Sequence, residues 1–359
     1  MTDIKIVLED GTEYCGISFG YQGYAAGELV FSTNMTAYPE IITDPAFKGQ
    51  ILIMTYPLAG NYGVPCDLRE NNLPKYFESD DIHVSALVVT DYTPNYSHWG
   101  ACKSLGEWMK ERRIPGIYGV DTRALTKRLR EKGNMLGKIV NLNHDAPFYH
   151  PYNDNLAEMV SCKNIIEYGS GSHRILLVDC GVKYNIIRNL LDNDCTVIRV
   201  PWDYDFPVAE YDGLLISNGP GDPKKYNATI RNISKVLQGN QPIMGIGLGG
   251  LLMGLAAGAD IYKLKYGHHS NNHPVKRIGS ESAFITAQNH GFAIDTDTLP
   301  DEWEPYYVNL NDGANEGFRH KIQPFFSAQF HHEPSGAASD TKYMFGMFID
   351  EVKKNRSIH

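Results

Sequence analysis

From His173 onward the chain alternates short apolar runs with runs of helical spacing, and that alternation restricts its fold more than any other feature. "HRILLVDCG" is an apolar run ending in glycine, "KYNIIRNLLDND" has helical periodicity, and "CTVIRVP" is again strand-like. "YDGLLISNGPGDP" reads as a strand entering a Gly/Pro loop, "NATIRNISKVLQGN" as a helix, and "PIMGIGLGG" as a strand entering a glycine turn. Strands separated by helices form a mostly parallel sheet covered on both faces, because each parallel connection needs a crossover and each strand is buried twice. Ligands bind such sheets at the carboxyl ends of the strands. Both glycine-bearing loops fall there.

The earlier part of the chain has a different grammar. "IKIVLEDGTEYCGISFG" alternates apolar and polar positions around Asp10-Gly11, a hairpin signal. "ELVFSTNM" and "GQILIMTYP" predict further strands, and "SLGEWMKERR" and "TRALTKRLREKG" predict helices. The second helix has a cap at Asp121/Thr122 and a stop at Gly133. Residues 141 to 170 are polar and read as irregular. The expected organisation is an N-terminal α/β domain over 1–145, a linker over 146–172, and a second α/β domain over 173–359 with a mostly parallel sheet flanked by helices.

Composition narrows the function classes. A formal net charge of -9 argues against a general nucleic-acid or anionic-membrane binder. No apolar run reaches the roughly 18 residues of a membrane helix, and "MTDIKIVLEDGTEY" lacks the basic and apolar regions of a signal peptide. Cys15, Cys66, Cys102, Cys162, Cys180 and Cys195 show neither CxxC pairs nor histidine spacing. They are expected to be unpaired thiols of a cytoplasmic protein, with no zinc site.

Four stretches could carry chemistry. "SNGPGDP" places Gly219 and Gly221 after a strand, where bare backbone amides can approach an oxyanion closely; a plain turn reads the same way. "MGIGLGGL" puts Gly247 at the apex of a strand-to-helix elbow, where a nucleophile would otherwise project. Its glycines fit G-x-G-x-x-G, but no acidic ribose ligand follows a suitable strand, and the Lys-Ser/Thr of a P-loop is missing. "AQFHHEPS" offers His331 and Glu333 at a strand end, where a carboxylate can orient an imidazole. With His332 between them the trio makes a poor metal site without distant ligands. "AQNHGFAID" offers Asn289, Gly291 and Phe292 as amide, bare backbone and aromatic wall of a small-ligand pocket, or simply a hairpin turn.

Taken together, these stretches resemble a class I glutamine amidotransferase, with its strand-loop "SNGPGDP", its nucleophile elbow and its late His-x-Glu. The first half selects a branch of it. "LEDGTEYCGISFG", "GELVFSTNMTAYPEIITDPAFKGQILIMTYPLAGNYGVP", "GVDTRALTKRLREKGNMLGKIV" and "DCGVKYNIIRNL" resemble the small chain of carbamoyl phosphate synthetase, over nearly the whole sequence. The resemblance implies a subunit that hydrolyses glutamine and passes ammonia to a large chain, with no cofactor of its own. ATP and magnesium would belong to the large chain. An elbow cysteine would attack the amide, with a histidine as base and a glutamate orienting it.

The residues depart from that pattern where it matters. The nucleophile position is Gly247, and the His and Gln after it are Gly250 and Leu251. The serine of the family's "DPSY" is Ala46. Gly219, Gly221, Leu248, Asn289, Gly291, Phe292, His331 and Glu333 keep the family's types. Cys180 lies at another strand end, in a family-typical "DCG", and reads as structural. The resemblance thus implies a partner of an ammonia-using large chain that lacks glutaminase activity of its own. Two other readings stay open: an active glutamine-hydrolysing chain carrying introduced substitutions, and a free-standing protein using the pocket for glutamine or a related small molecule.

Overall fold

The computed structural model describes residues 4–141, 145–206, 210–331 and 343–356. The chain divides into two compact units, Met1–Leu156 with Lys265–His269, and Ala157–Leu264 with Ser270–His359.

The first unit is built on a closed seven-stranded barrel. Ile4–Leu8 pairs antiparallel with both Glu13–Ser18 and Leu136–Asn141. Ala25–Ser32, Gln50–Met54, Ala86–Val89 and Gly116–Tyr118 follow as parallel neighbours. Gly116–Tyr118 closes the ring against Glu13–Ser18. Successive side chains point to opposite faces of a strand, so each strand feeds two apolar clusters. Val30, Leu52 and Leu87 pack with Leu105, Trp108 and Met109 of the helix Leu105–Glu111. Leu29, Ile51 and Val88 pack with Leu125 and Leu129 of the helix Thr122–Lys132. The hairpin at Asp10-Gly11 is present, with Gly11 at φ 83° and the Leu8 amide bonded to the Thr12 carbonyl. Asp121 caps its helix by accepting from the Ala124 amide, and Gly133 ends it.

Two expectations need correction. Cys66 and Cys102 are not thiols but a disulfide, with Cα atoms 5.2 Å apart. Cys66 follows the strand Val64–Pro65 and Cys102 lies within the strand Ala101–Lys103, which pair antiparallel. That contact is non-local, so spacing along the chain does not report it. Cys15, Cys162, Cys180 and Cys195 are free. Residues 141–170, expected to be irregular, contain the helix Leu156–Val160 and the strand Ile166–Tyr168.

The second unit holds a ten-stranded sheet. Its parallel centre runs in the order Cys195–Pro201, His173–Asp179, Gly213–Ile216, Ile243–Ile246, Phe325–Ala328. Ile166–Tyr168 lies antiparallel on one edge. Beyond Phe325–Ala328 come Asn315–His320, Trp303–Asn309, Ile261–Arg277 and Ala283–Ile294. Leu214, Ile216 and Ile243 of the sheet pack with Ile233 and Val236 of the helix Asn227–Val236, and with Leu251 and Leu252 of the helix Leu248–Ala257. This parallel centre brings the ends of four adjacent strands, His173–Asp179, Gly213–Ile216, Ile243–Ile246 and Phe325–Ala328, to one place.

Candidate functional site

The strand Ile243–Ile246 is wholly buried and leads straight into the elbow. Gly247 has φ 56° and ψ −118°, and the helix Leu248–Ala257 starts at the next residue. The Gly247 amide donates to the Ala328 carbonyl at 2.8 Å, and its carbonyl accepts from the Gly250 and Leu251 amides. The sharp turn of a nucleophile elbow is therefore intact. A Cβ built at Gly247 would lie 3.3 Å from the Asn218 Cβ and 3.8 Å from the Gln329 carbonyl oxygen. There is nearly room for a side chain, but at a backbone angle L-residues avoid.

The loop after Gly213–Ile216 comes up beside the elbow. At Gly219 a Cβ would lie 2.1 Å from the Cys180 carbonyl oxygen and 2.9 Å from a Leu248 methyl. Only glycine lets the loop sit this close to two neighbouring strand ends. Ser217 Oγ accepts from the Cys180 amide, Asn218 Oδ1 accepts from the Lys183 amide, and Tyr226 Oη donates to the Pro220 carbonyl. Gly221 follows at φ 85°.

His331 continues the strand Phe325–Ala328 past its end and is buried. Its amide donates to the Ala287 carbonyl at 2.8 Å. That bridge ties it to the strand Ala283–Ile294, which carries Asn289, Gly291 and Phe292. These three residues lie within a continuous strand, not in a hairpin turn. Leu248 and Leu251 are both buried in the apolar cluster under the elbow helix. Glu333, with His332, lies outside the described residues. Ala46 belongs to the first unit, buried in the turn Pro45–Phe47, where its amide donates to Asp44 Oδ1 at 2.9 Å.

No thiol substitutes at the elbow's neighbours. Cys180 is fully buried, and burial first, then the charge of Asp179, pushes its thiol well above the ordinary range. A thiol so held is not a nucleophile at neutral pH.

The comparisons bear on this arrangement. The family "Carbamoyl-phosphate synthase small chain, CPSase domain" matches residues 6–139, and "Glutamine amidotransferase class-I" matches residues 176–351. The arginine-specific small chain of carbamoyl phosphate synthase from Saccharomyces cerevisiae is 44% identical over 98% of this chain and 89% of its own length. This chain belongs to the carbamoyl phosphate synthase small-chain family. The human "Carbamoyl-phosphate synthase [ammonia], mitochondrial" is 48% identical over 98% of this chain, which spans only 24% of that protein. The multifunctional protein pyrABCN of Emericella nidulans is 44% identical over 96% of this chain, which covers 17% of that protein.

Two buried polar networks rest on residues that the sequence motifs do not single out. Asp179 ends its strand completely buried and receives Arg199 through Nε at 2.8 Å and Nη2 at 2.6 Å. It also accepts from the amides of Gly181, Val182 and Cys162. Burial is the strongest single influence on Arg199 and opposes its charge, but the Asp179 carboxylate together with Tyr168 and Tyr184 raises the guanidinium pKa. The pair fixes the turn over which the Gly219 loop packs. Its signal was an arginine in the otherwise apolar "CTVIRVP", since a charge in a buried strand requires a partner. His290 is the second case. It lies between Asn289 and Gly291, with Nδ1 2.9 Å from the Phe292 carbonyl and Nε2 3.2 Å from Gln288 Oε1. The buried Glu316, itself bonded by Asn309, stands 3.8 Å from Nε2. This network braces the strand carrying Asn289, Gly291 and Phe292.

Proposed function

We propose that this chain is a carbamoyl phosphate synthase small chain without glutaminase activity, and that it serves as structural or regulatory partner of a large chain using free ammonia. The observation that carries the reading is Gly247 at the apex of an otherwise intact elbow. Thiolate attack on the glutamine amide needs a sulfur at that point, and glycine cannot form the acyl-enzyme. The changes around it agree. Gly250 removes an imidazole from the elbow helix, and Leu251 and Ala46 stand at two positions where the family holds glutamine by polar side chains. The loss extends to recognition as well as chemistry. The human and mouse relatives carry ammonia in their names, which supports the same direction.

The backbone parts kept at Gly219, Gly221 and the elbow helix preserve the shape of the unit. We infer that this shape is retained for assembly. The test is an assay of purified chain with glutamine, followed by reconstitution with a cognate large chain. The expected result is no glutamate release above background, and carbamoyl phosphate made from ammonia but not from glutamine. Glutamate production proportional to protein concentration would overturn the reading.

A further inference from the structure

We propose that Cys66–Cys102 is a reversible redox site, and that its reduction loosens the support beneath the turn that carries Ala46. The inference is independent of the glutaminase reading. Four of the six cysteines are free and one of them, Cys15, is exposed. That is the cysteine usage of a reducing compartment, where an accessible disulfide exchanges with the thiol pool rather than serving as a permanent staple. The bond is accessible. Cys102 is exposed, Cys66 is half-buried, and both line a cavity of about 300 Å³ that also borders Phe77 and Trp108.

The covalent bond reinforces a thin set of backbone ties between its two segments, among them the Thr93 and Ser97 amides donating to the Ala59 and Asn61 carbonyls. The ladder beside it is Val64–Pro65 against Ala101–Lys103, with a register shift between Val64 and Pro65. So short a pair is marginal by itself. The segment it anchors holds up the helix Tyr38–Ile42. Tyr38 Oη donates to the Gly63 carbonyl at 2.7 Å, the Tyr38 amide donates to Tyr62 Oη at 3.0 Å, and the two rings stack with centroids 4.3 Å apart. Further along the same 66–102 loop, the Glu78 amide donates to Thr43 Oγ1 and Ser79 Oγ donates to the Thr43 carbonyl. The His83 amide donates to the Ile42 carbonyl. Ala37, just before the helix, sits at φ 65°, a strained position for alanine that persists only while its surroundings enforce it. The turn Asp44–Phe47 follows directly.

The chemistry is thiol–disulfide exchange with a dithiol. Its thiolate attacks the Cys102 sulfur, and Cys66 leaves as a thiolate and takes up a proton. The second thiol of the reductant then closes a disulfide and releases Cys102. Two electrons and two protons pass to the protein, and the dithiol is oxidised.

The experiment uses the full chain in graded dithiothreitol, with differential alkylation to read each cysteine and amide hydrogen exchange to read the backbone. Cys66 and Cys102 are expected to become alkylatable together, while Cys180 stays protected. Amides of 38–47 and 61–66 are expected to exchange at least about tenfold faster after reduction, and to recover on reoxidation with glutathione disulfide. A Cys66→Ala/Cys102→Ala variant should match the reduced protein. Reduced wild-type chain supplies the same readout if that variant does not fold. Unchanged exchange at 38–47 once the bond is open, or resistance of the bond to reduction in the folded chain, or failure of the two thiols to rejoin, would each overturn the proposal.

Discussion

Gly247 relieves a strain that the elbow would otherwise impose. At φ 56° a non-glycine residue costs about 1–3 kcal/mol, whereas glycine loses only about 0.5–1 kcal/mol of chain entropy relative to alanine. Gly247→Cys is therefore expected to lower Tm, by roughly 2–4 °C per kcal/mol in a domain of this size. On the proposed reading it should not restore turnover, because the apolar Leu251 and Ala46 have no side-chain group that could hydrogen-bond glutamine. Adding Gly250→His, Leu251→Gln and Ala46→Ser should recover more than the sum of the single changes, since such residues act as a unit. Glutaminase rate and Tm across that series decide the matter: family-like turnover from Gly247→Cys alone, with Tm unchanged, would contradict both expectations. Asp179 and Arg199 invite the opposite kind of change. Asp179→Asn leaves the buried Arg199 without its counter-charge and is expected to cost about 3–5 kcal/mol. Removing both charges with Asp179→Asn/Arg199→Met should be milder than the single change. Chemical denaturation midpoints of the three proteins test this, and a double variant weaker than Asp179→Asn would refute it.

Elements formed by local rules were legible, and those formed by distant pairing were not. The helix Thr122–Lys132 could be read from its cap and its terminating glycine, and the strands His173–Asp179 and Ile243–Ile246 from continuous apolar runs. Closure of the barrel depends on Ile4–Leu8 meeting Leu136–Asn141. No local pattern encodes that meeting, and the same holds for Cys66 and Cys102. The elbow was legible because its glycine spacing is local. The Asp179–Arg199 pair left one local sign, the arginine in an apolar run, but nothing local names Asp179 as its partner. A second tie between elements gives a pH test. Arg128, on the helix Thr122–Lys132, donates through Nε to Asp10 of the hairpin turn at 3.0 Å. That bond first, and Thr12 second, lowers the Asp10 carboxyl from 3.8 to about 2. A depressed carboxyl stabilises the fold above its ordinary pKa, and the contribution fades as pH falls from about 4 toward 2. In Arg128→Ala the Asp10 titration, followed by carboxyl NMR, should move up toward 3.8; a midpoint left near 2 would show that Arg128 is not the cause.

At the scale of the whole molecule, the proposed role rests on assembly. An obligate subunit buries on the order of 2,000 Å² or more against its partner. The chain and a cognate large chain are therefore expected to co-elute at micromolar concentration, and separate elution would count against the role. The barrel and the ten-stranded sheet also differ in how they meet other chains. The barrel closes on itself, so its strands present no open row of amides and carbonyls. Among the described strands, the other sheet ends on one side with the three-residue Ile166–Tyr168, and on the other with the twelve-residue Ala283–Ile294. His331 bridges that longer edge at Ala287, while Ile285 is 43% exposed. A long edge bearing an exposed isoleucine is a template for cross-chain strand pairing. On storage or mild heating, aggregation should begin at this edge and spare the barrel, and a lysine at position 285 should slow it.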